Sequence, residues 1–178
     1  MRIISGSAKG KHLESPKNAA RPMREMVRGA LFNILNRHEG GSFLDLFAGT
    51  GAVGIEALSR GFESSLFVEL TGQNCRIINK NIEITGFSSQ SKVVRANVFV
   101  FLNSVLKQGN SFDVVFSGTP YMDEILDKIF ERVSNLIEIV SEEGVLVIQA
   151  PSKYSPPVIP VEFEKRAFGG DALYFYYK

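Results

Sequence analysis

An open α/β sheet, mostly parallel and covered by helices, is the fold class this sequence predicts. Three observations carry it. Apolar segments of strand length alternate with segments of helical period from residue 42 onward. The first of those strands, SFLDLF at 42–47, is apolar on both faces, as a strand inside a parallel sheet is and a half-solvated one is not. A glycine-rich turn, Ala48-Gly49-Thr50-Gly51-Ala52-Val53-Gly54, then joins that strand to a helix.

Near the amino terminus RIISG and GKHLES read as a short hairpin. Residues 23–37 follow as a helix with Val27, Ala30, Leu31, Ile34 and Leu35 on one stripe. Strands are expected at 42–47, 65–70, 92–95, 112–117 and 144–149, with helices at 52–60, 72–85, 97–107 and 122–139. Past the proline-rich stretch PSKYSPPVIP, the segments VEFEKRAF and ALYFYYK flank Gly169-Gly170-Asp171, a hairpin turn signal. With no helix between them, these last two strands should pair antiparallel at one edge of the sheet.

A chain of 178 residues suffices for one well-buried domain, expected to span 1–178 with residues 1–40 as a basic accessory hairpin and helix. Its 44% apolar and 22% charged residues are ordinary for a soluble protein, and no stretch approaches the ~20 apolar residues that span a bilayer. No signal-peptide-like block occupies the first twenty residues, and the lone Cys75 cannot form an internal disulfide, so a cytoplasmic location is expected; the expected state is a monomer, on which the sequence says little. Cys75, His12 and His38 lack ligand-like spacing, which argues against a zinc site. The net charge of +1 conceals an uneven distribution: residues 1–40 hold eight Lys and Arg against three acids, the remainder twelve against sixteen. A basic arm on an acidic body suits a phosphate backbone, and solvated surface charge is the equal alternative. Arg2, Lys9, Lys11, Arg21 and Arg24 are the candidate phosphate contacts.

Glycines let backbone amides approach a ligand, and the helix after them favours negative charge. Asp45 precedes that turn, and Glu69 ends the second strand eighteen residues after Gly51, where an acid can take both ribose hydroxyls of an adenosine-containing ligand. GTGAVG matches the dinucleotide fingerprint, which keeps NAD open. A carboxylate at 45 would repel a pyrophosphate and attract an α-ammonium, so S-adenosyl-L-methionine ranks first. Asp45, Phe47, Gly49, Gly51 and Glu69 form the expected cofactor set, joined by Asn97, placed to bond the adenine edge, and Phe99, for which core packing is an equal reading.

The segments MRIISGSAKGKHL, RPMREMVRGALFNIL, FLDLFAGTGAVGIEALSRG, FVE and the corner TPY together resemble the RsmD-type methyltransferases, which modify a guanine N2 in bacterial 16S ribosomal RNA. The similarity extends to the terminal GDALYFYY segment. It implies a class I, Rossmann-like methyltransferase fold of seven strands with the last antiparallel. It also implies S-adenosylmethionine as cofactor, 16S rRNA or an assembling small subunit as partner, and an N-terminal hairpin on the RNA side with Arg21 contacting substrate or shaping that lobe.

Two departures bear on activity. The family's Thr-Asp-Arg after its Arg-Pro pair is Arg24-Glu25-Met26 here, and its Asp-Pro-Pro-Tyr/Phe corner is Gly118-Thr119-Pro120-Tyr121. An exocyclic guanine amine is a poor nucleophile, its lone pair being delocalised into the ring. Acceptors for its N–H groups localise that pair, and an aromatic ring stacks on the base. Tyr121 and Pro120 remain for stacking and stiffness, whereas Gly118 offers no side chain. A catalytically impaired relative that binds cofactor and RNA is therefore the second reading; a DNA or protein methyltransferase is third and an NAD oxidoreductase last.

Overall fold

The computed structural model of the chain describes residues 1–16 and 23–178. Helix α1 (Glu25–Leu35) leads into β1 (Ser42–Leu46), α2 (Ala52–Ser59), β2 (Ser64–Glu69), α3 (Gly72–Thr85), β3 (Ser91–Arg95), α4 (Val98–Gln108) and β4 (Phe112–Ser117). Then come α5 (Asp123–Phe130), α6 (Val133–Glu138), β5 (Val140–Pro151), β6 (Glu164–Phe168) and β7 (Asp171–Tyr177). Seven strands form one sheet in the order β3-β2-β1-β4-β5-β7-β6. All neighbours up to β5 are parallel, and β7 runs antiparallel to both β5 and β6. The expected fold class and terminal hairpin are both present, with β6 at the edge and β7 inside it.

Phe43, Leu44, Asp45 and Leu46 are all buried, since β1 lies at the centre with helices on both faces. One face packs Leu44 and Leu46 with α4, α5 and α6; the other packs Phe43 and Phe116 with α1 and α2. Burying each such side chain contributes about 1.5–3 kcal/mol.

Helix α2 has no exposed residue. A Cβ added at Gly54 would lie 2.4 Å from the Phe67 ring and 2.6 Å from Ser65 Oγ, so glycine is what lets this helix approach β2 so closely. The other side of α2 is covered by the amino-terminal segment. Amides of Ile4 and Ser5 donate to Glu56, the Ser7 amide to the Ser59 carbonyl and the Ala8 amide to Ser59 Oγ. At Gly6, φ is +81° and an added Cβ would stand 1.6 Å from the Ser59 carbonyl oxygen, an overlap no side chain survives.

Three sequence expectations need correction. The amino-terminal hairpin reduces to a single antiparallel bridge, Arg2 to His12, because this stretch spends its backbone bonds on α2 as well as on itself. The helix expected over 122–139 is two helices: the Arg132 amide turns to the Ile129 carbonyl and tightens the chain between them. Buried residues continue through the break at helical spacing (Leu126, Ile129, Phe130, Val133, Leu136), so periodicity could not reveal it. Strand β5 begins four residues early, at Val140, since its pairing with β4 shifts register through the exposed Glu142-Glu143.

Candidate active site

The carboxyl ends of β1, β2 and β4 face a cavity of about 960 Å3, the crevice position expected of an open parallel sheet. A second cavity of about 670 Å3, lined by Arg37, His38, Asp113 and Lys178 among others, opens at the opposite end of the strands. The first cavity collects residues from the amino-terminal segment, the glycine turn, the ends of β2 and β4, the start of α4 and the β6–β7 turn.

Asp45 projects from the buried end of β1, and its Oδ2 accepts the Gly54 amide at 2.9 Å. That bond serves the first turn of α2, whose Gly51 cap has no side chain to serve it. Asp45 therefore caps the helix and lines the crevice at once. Burial pushes its carboxyl up to about 7; the Gly54 amide opposes the rise and Glu69 adds to it. A group so placed gains by meeting a positive charge. Glu69, also buried, holds the turn from the other side: Oε2 accepts the Gly49 amide at 3.0 Å, and Oε1 accepts the Thr71 amide at 2.9 Å and hydroxyl at 3.2 Å. Two acids at two strand ends thus fix the bend between them.

Phe47 follows β1 with φ +59°, a left-handed conformation that costs a non-glycine residue about 1–2 kcal/mol. Its ring sits edge-on to Phe99, centroids 6.4 Å apart, and both line the crevice. Phe99 also packs against the core beside α4, so its two readings coexist. Asn97 is the N-cap of α4: its Oδ1 accepts the Phe99 amide at 2.9 Å, leaving the side-chain NH2 as its donor toward the crevice. Of the expected cofactor set, Gly51 alone does not line the cavity; its φ of +77° starts α2, and an added Cβ would lie 3.1 Å from Ile78.

The corner after β4 forms as expected. The Gly118 amide donates to the Leu46 carbonyl at 3.1 Å, extending the β1–β4 ladder by one step, and the Met122 amide closes on the Pro120 carbonyl at 2.7 Å. Gly118, Thr119, Pro120 and Tyr121 all line the crevice. Behind them Ser117 Oγ and Thr119 Oγ1 share a buried hydrogen bond of 2.7 Å. Tyr121 is 44% exposed, with its hydroxyl donating to Asp171 Oδ1 and accepting from Gln149 Nε2 at 2.9 Å.

The basic candidates separate. Arg24 lines the crevice and pairs with Asp171. Arg2 lies near Glu25 on the surface, and Lys11 donates to the Ile84 and Thr85 carbonyls at the end of α3. Lys9 is exposed, and Arg21 falls outside the described residues. The amino-terminal segment is thereby docked on the body.

Sequence reasoning passed over Arg28, Asn81, Gln149 and Asp171. Arg28 is fully buried, its Nε 3.5 Å from Glu56 and its Nη2 donating to the Arg2 carbonyl at 2.6 Å. Asn81 ties the backbone of Glu14 to the Thr50 carbonyl of the glycine turn. The signal for Asp171 was present but read only as part of a turn.

Comparison with known proteins adds three findings. The model of a family described as conserved hypothetical protein 95 matches residues 1–177. YlbH of Bacillus subtilis (strain 168) is 32% identical over 151 residues, 84% of this chain and 82% of that protein, and the ribosomal RNA small subunit methyltransferase D of Escherichia coli (strain K12) is 28% identical over 185 residues, 100% of this chain and 89% of that one. A solved structure of a hypothetical protein of Thermus thermophilus superposes with a TM-score of 0.86 at 36% identity, covering 99% of this chain and 98% of that one.

Proposed function

The chain belongs to the conserved hypothetical protein 95 family, the RsmD-type methyltransferases, and we propose that it methylates the exocyclic N2 of a guanine in bacterial 16S ribosomal RNA. The observation that carries this reading is the joining, in one crevice, of the acid-flanked glycine turn and the aromatic corner at Tyr121. S-adenosylmethionine, when bound, supplies a sulfonium methyl to an attacking nitrogen lone pair, the electron pair of the broken C–S bond staying on sulfur.

The residues present fit that cofactor. Asp45, its carboxyl pushed up to about 7 by burial, answers the α-ammonium in its ionised form, whereas a pyrophosphate would bring further negative charge beside Asp45 and Glu69, which is why NAD ranks below. Glu69 spends three of its roughly four acceptor positions on Gly49 and Thr71, which leaves room on Oε2 for a ribose hydroxyl. Asn97 donates its amide toward the adenine, and Phe47 with Phe99 supplies the apolar wall.

At the corner Tyr121 presents a ring for the guanine to stack on, worth about 1–3 kcal/mol. With no side chain at 118, the N–H groups of the amine fall to backbone carbonyls of the corner or to Thr119 Oγ1, oriented by Ser117. These groups orient the amine but are too weakly basic to keep its proton, so the methylated N2, strongly acidic once its lone pair is used, sheds that proton to water at the crevice. Loss of a positioned acid–base side chain costs about 10²–10⁴-fold in rate, so transfer is slow while binding persists.

Small subunits or 16S RNA from cells lacking this gene, incubated with the protein and labelled cofactor, should yield 2-methylguanosine by nucleoside mass spectrometry. Label in another nucleoside would overturn the guanine assignment. Binding of cofactor and RNA with no label in any nucleoside would favour the non-catalytic relative.

A further inference from the structure

The hydroxyl of Tyr121 is held more firmly than an exposed loop side chain requires. Its O–H donates to Asp171 Oδ1 at 2.5 Å, and its oxygen accepts from Gln149 Nε2 at 2.9 Å. Asp171 is in turn fixed from behind: its Oδ2 accepts from Arg24 Nε at 2.8 Å and Nη2 at 2.7 Å, and the same guanidinium donates to the Phe168 carbonyl. Four separate segments meet here: the entry to α1, the corner after β4, strand β5 and the β6–β7 turn. Asp171 and Gln149 are 7% and 8% exposed, so both bonds to the hydroxyl form where water competes poorly, and the one to Asp171 is charge-assisted. Tyr121 as a whole stays 44% exposed. One end of the tyrosine is anchored while the residue lines the crevice.

We propose that Asp171 is a positioning residue that locks Tyr121 as a fixed platform for the planar group entering the crevice. The proposal rests on the reading that this group is the target base. A ring free to turn about its two side-chain torsions would let a stacked base drift, and a displacement of about 1 Å at a reacting centre can cost 10²-fold in rate. The lock counts for more in this chain than where residue 118 carries an acceptor, because Gly118 leaves the ring as the corner's main side-chain hold on the base. The bland alternative is that Asp171 merely staples the β6–β7 turn to Arg24. The two differ in what happens once the hydroxyl is gone.

The test uses the full chain labelled with 3-fluorotyrosine, with the Tyr121 line among the five tyrosines identified by Tyr121→Phe. It is paired with single-turnover methylation of small subunits and equilibrium binding of S-adenosylhomocysteine. Asp171→Ala should move the Tyr121 fluorine line toward that of a solvated tyrosine, slow methyl transfer by about tenfold or more and leave cofactor affinity within about twofold. Asp171→Asn, which still accepts from the hydroxyl, should restore most of both effects. In a Tyr121→Phe background, Asp171→Ala should add less than about twofold, because its partner is already missing. An unmoved fluorine line in Asp171→Ala, or an undiminished rate loss in the Phe background, overturns the lock. A wild-type protein that binds cofactor and methylates no RNA defeats the substrate reading instead, and the fluorine line alone then decides whether Asp171 holds the ring.

Discussion

Glu69 Oε2 accepts the Gly49 amide at 3.0 Å, so the acid that ends β2 also holds the bend that ends β1. Under the proposed cofactor site, ligand binding and local folding are joined at this one side chain. Glu69→Ala removes the acceptor of two part-buried bonds, from the Gly49 and Thr71 amides, a loss of about 1 kcal/mol for each. Isothermal titration should show S-adenosylmethionine affinity falling at least about tenfold, the equivalent of about 1.4 kcal/mol, alongside a lowered melting temperature. Unchanged affinity would remove Glu69 from the cofactor site.

Asp45 predicts a pH dependence with a definite sign. Its folded carboxyl titrates near 7, above the ordinary aspartate value, so the folded chain binds the extra proton between about pH 4 and 7 and loses stability as pH rises through that window. A cationic ligand needs the ionised form and must expel that proton below pH 7. Affinity for S-adenosylmethionine should accordingly rise by up to about tenfold per pH unit toward pH 7 and level off above it. Asp45→Asn should flatten the slope. A wild-type affinity that stays level between pH 5.5 and 7 would refute the pairing.

Arg28 and Glu56 are both fully buried, 3.5 Å apart, and Glu56 also holds the amides of Ile4 and Ser5. Burial lowers the Arg28 pKa, and Glu56 opposes that effect. Glu56→Ala leaves a buried guanidinium without its carboxylate, a loss of about 3–5 kcal/mol. Chemical denaturation should report that loss, and limited proteolysis should cut within residues 1–16 faster than in the wild type. Equal cleavage rates would mean the segment is held by its other contacts.

Gly118 is open to repair. Its φ lies outside the left-handed range, and an added Cβ would meet the edge of the Phe116 ring at 3.1 Å, a contact that needs a shift of a few tenths of an ångström. Gly118→Asp should raise single-turnover methylation by about 10²-fold, the low end of what a positioned acid–base group contributes. Cofactor affinity should hardly change. A rate no faster than wild type would show that the corner manages without a carboxylate.

Composition and spacing alone determined the parallel sheet, the acid-flanked glycine turn and the aromatic corner, because each rests on local signals: unbroken apolar strands, glycines where backbone meets ligand, and proline at a bend. The family resemblance was legible for the same reason, its motifs being contiguous. Tertiary structure alone decided the rest. The basic amino-terminal stretch became a docked layer because Glu56 and Ser59 of α2 take its amides, a partnership spanning about fifty residues of chain. Asp171 reached Tyr121 because β7 threads between β5 and β6, which carries the hairpin turn to the crevice. Hydrophobic periodicity reports which face of an element is buried; it holds no record of which distant polar groups satisfy one another once those faces close.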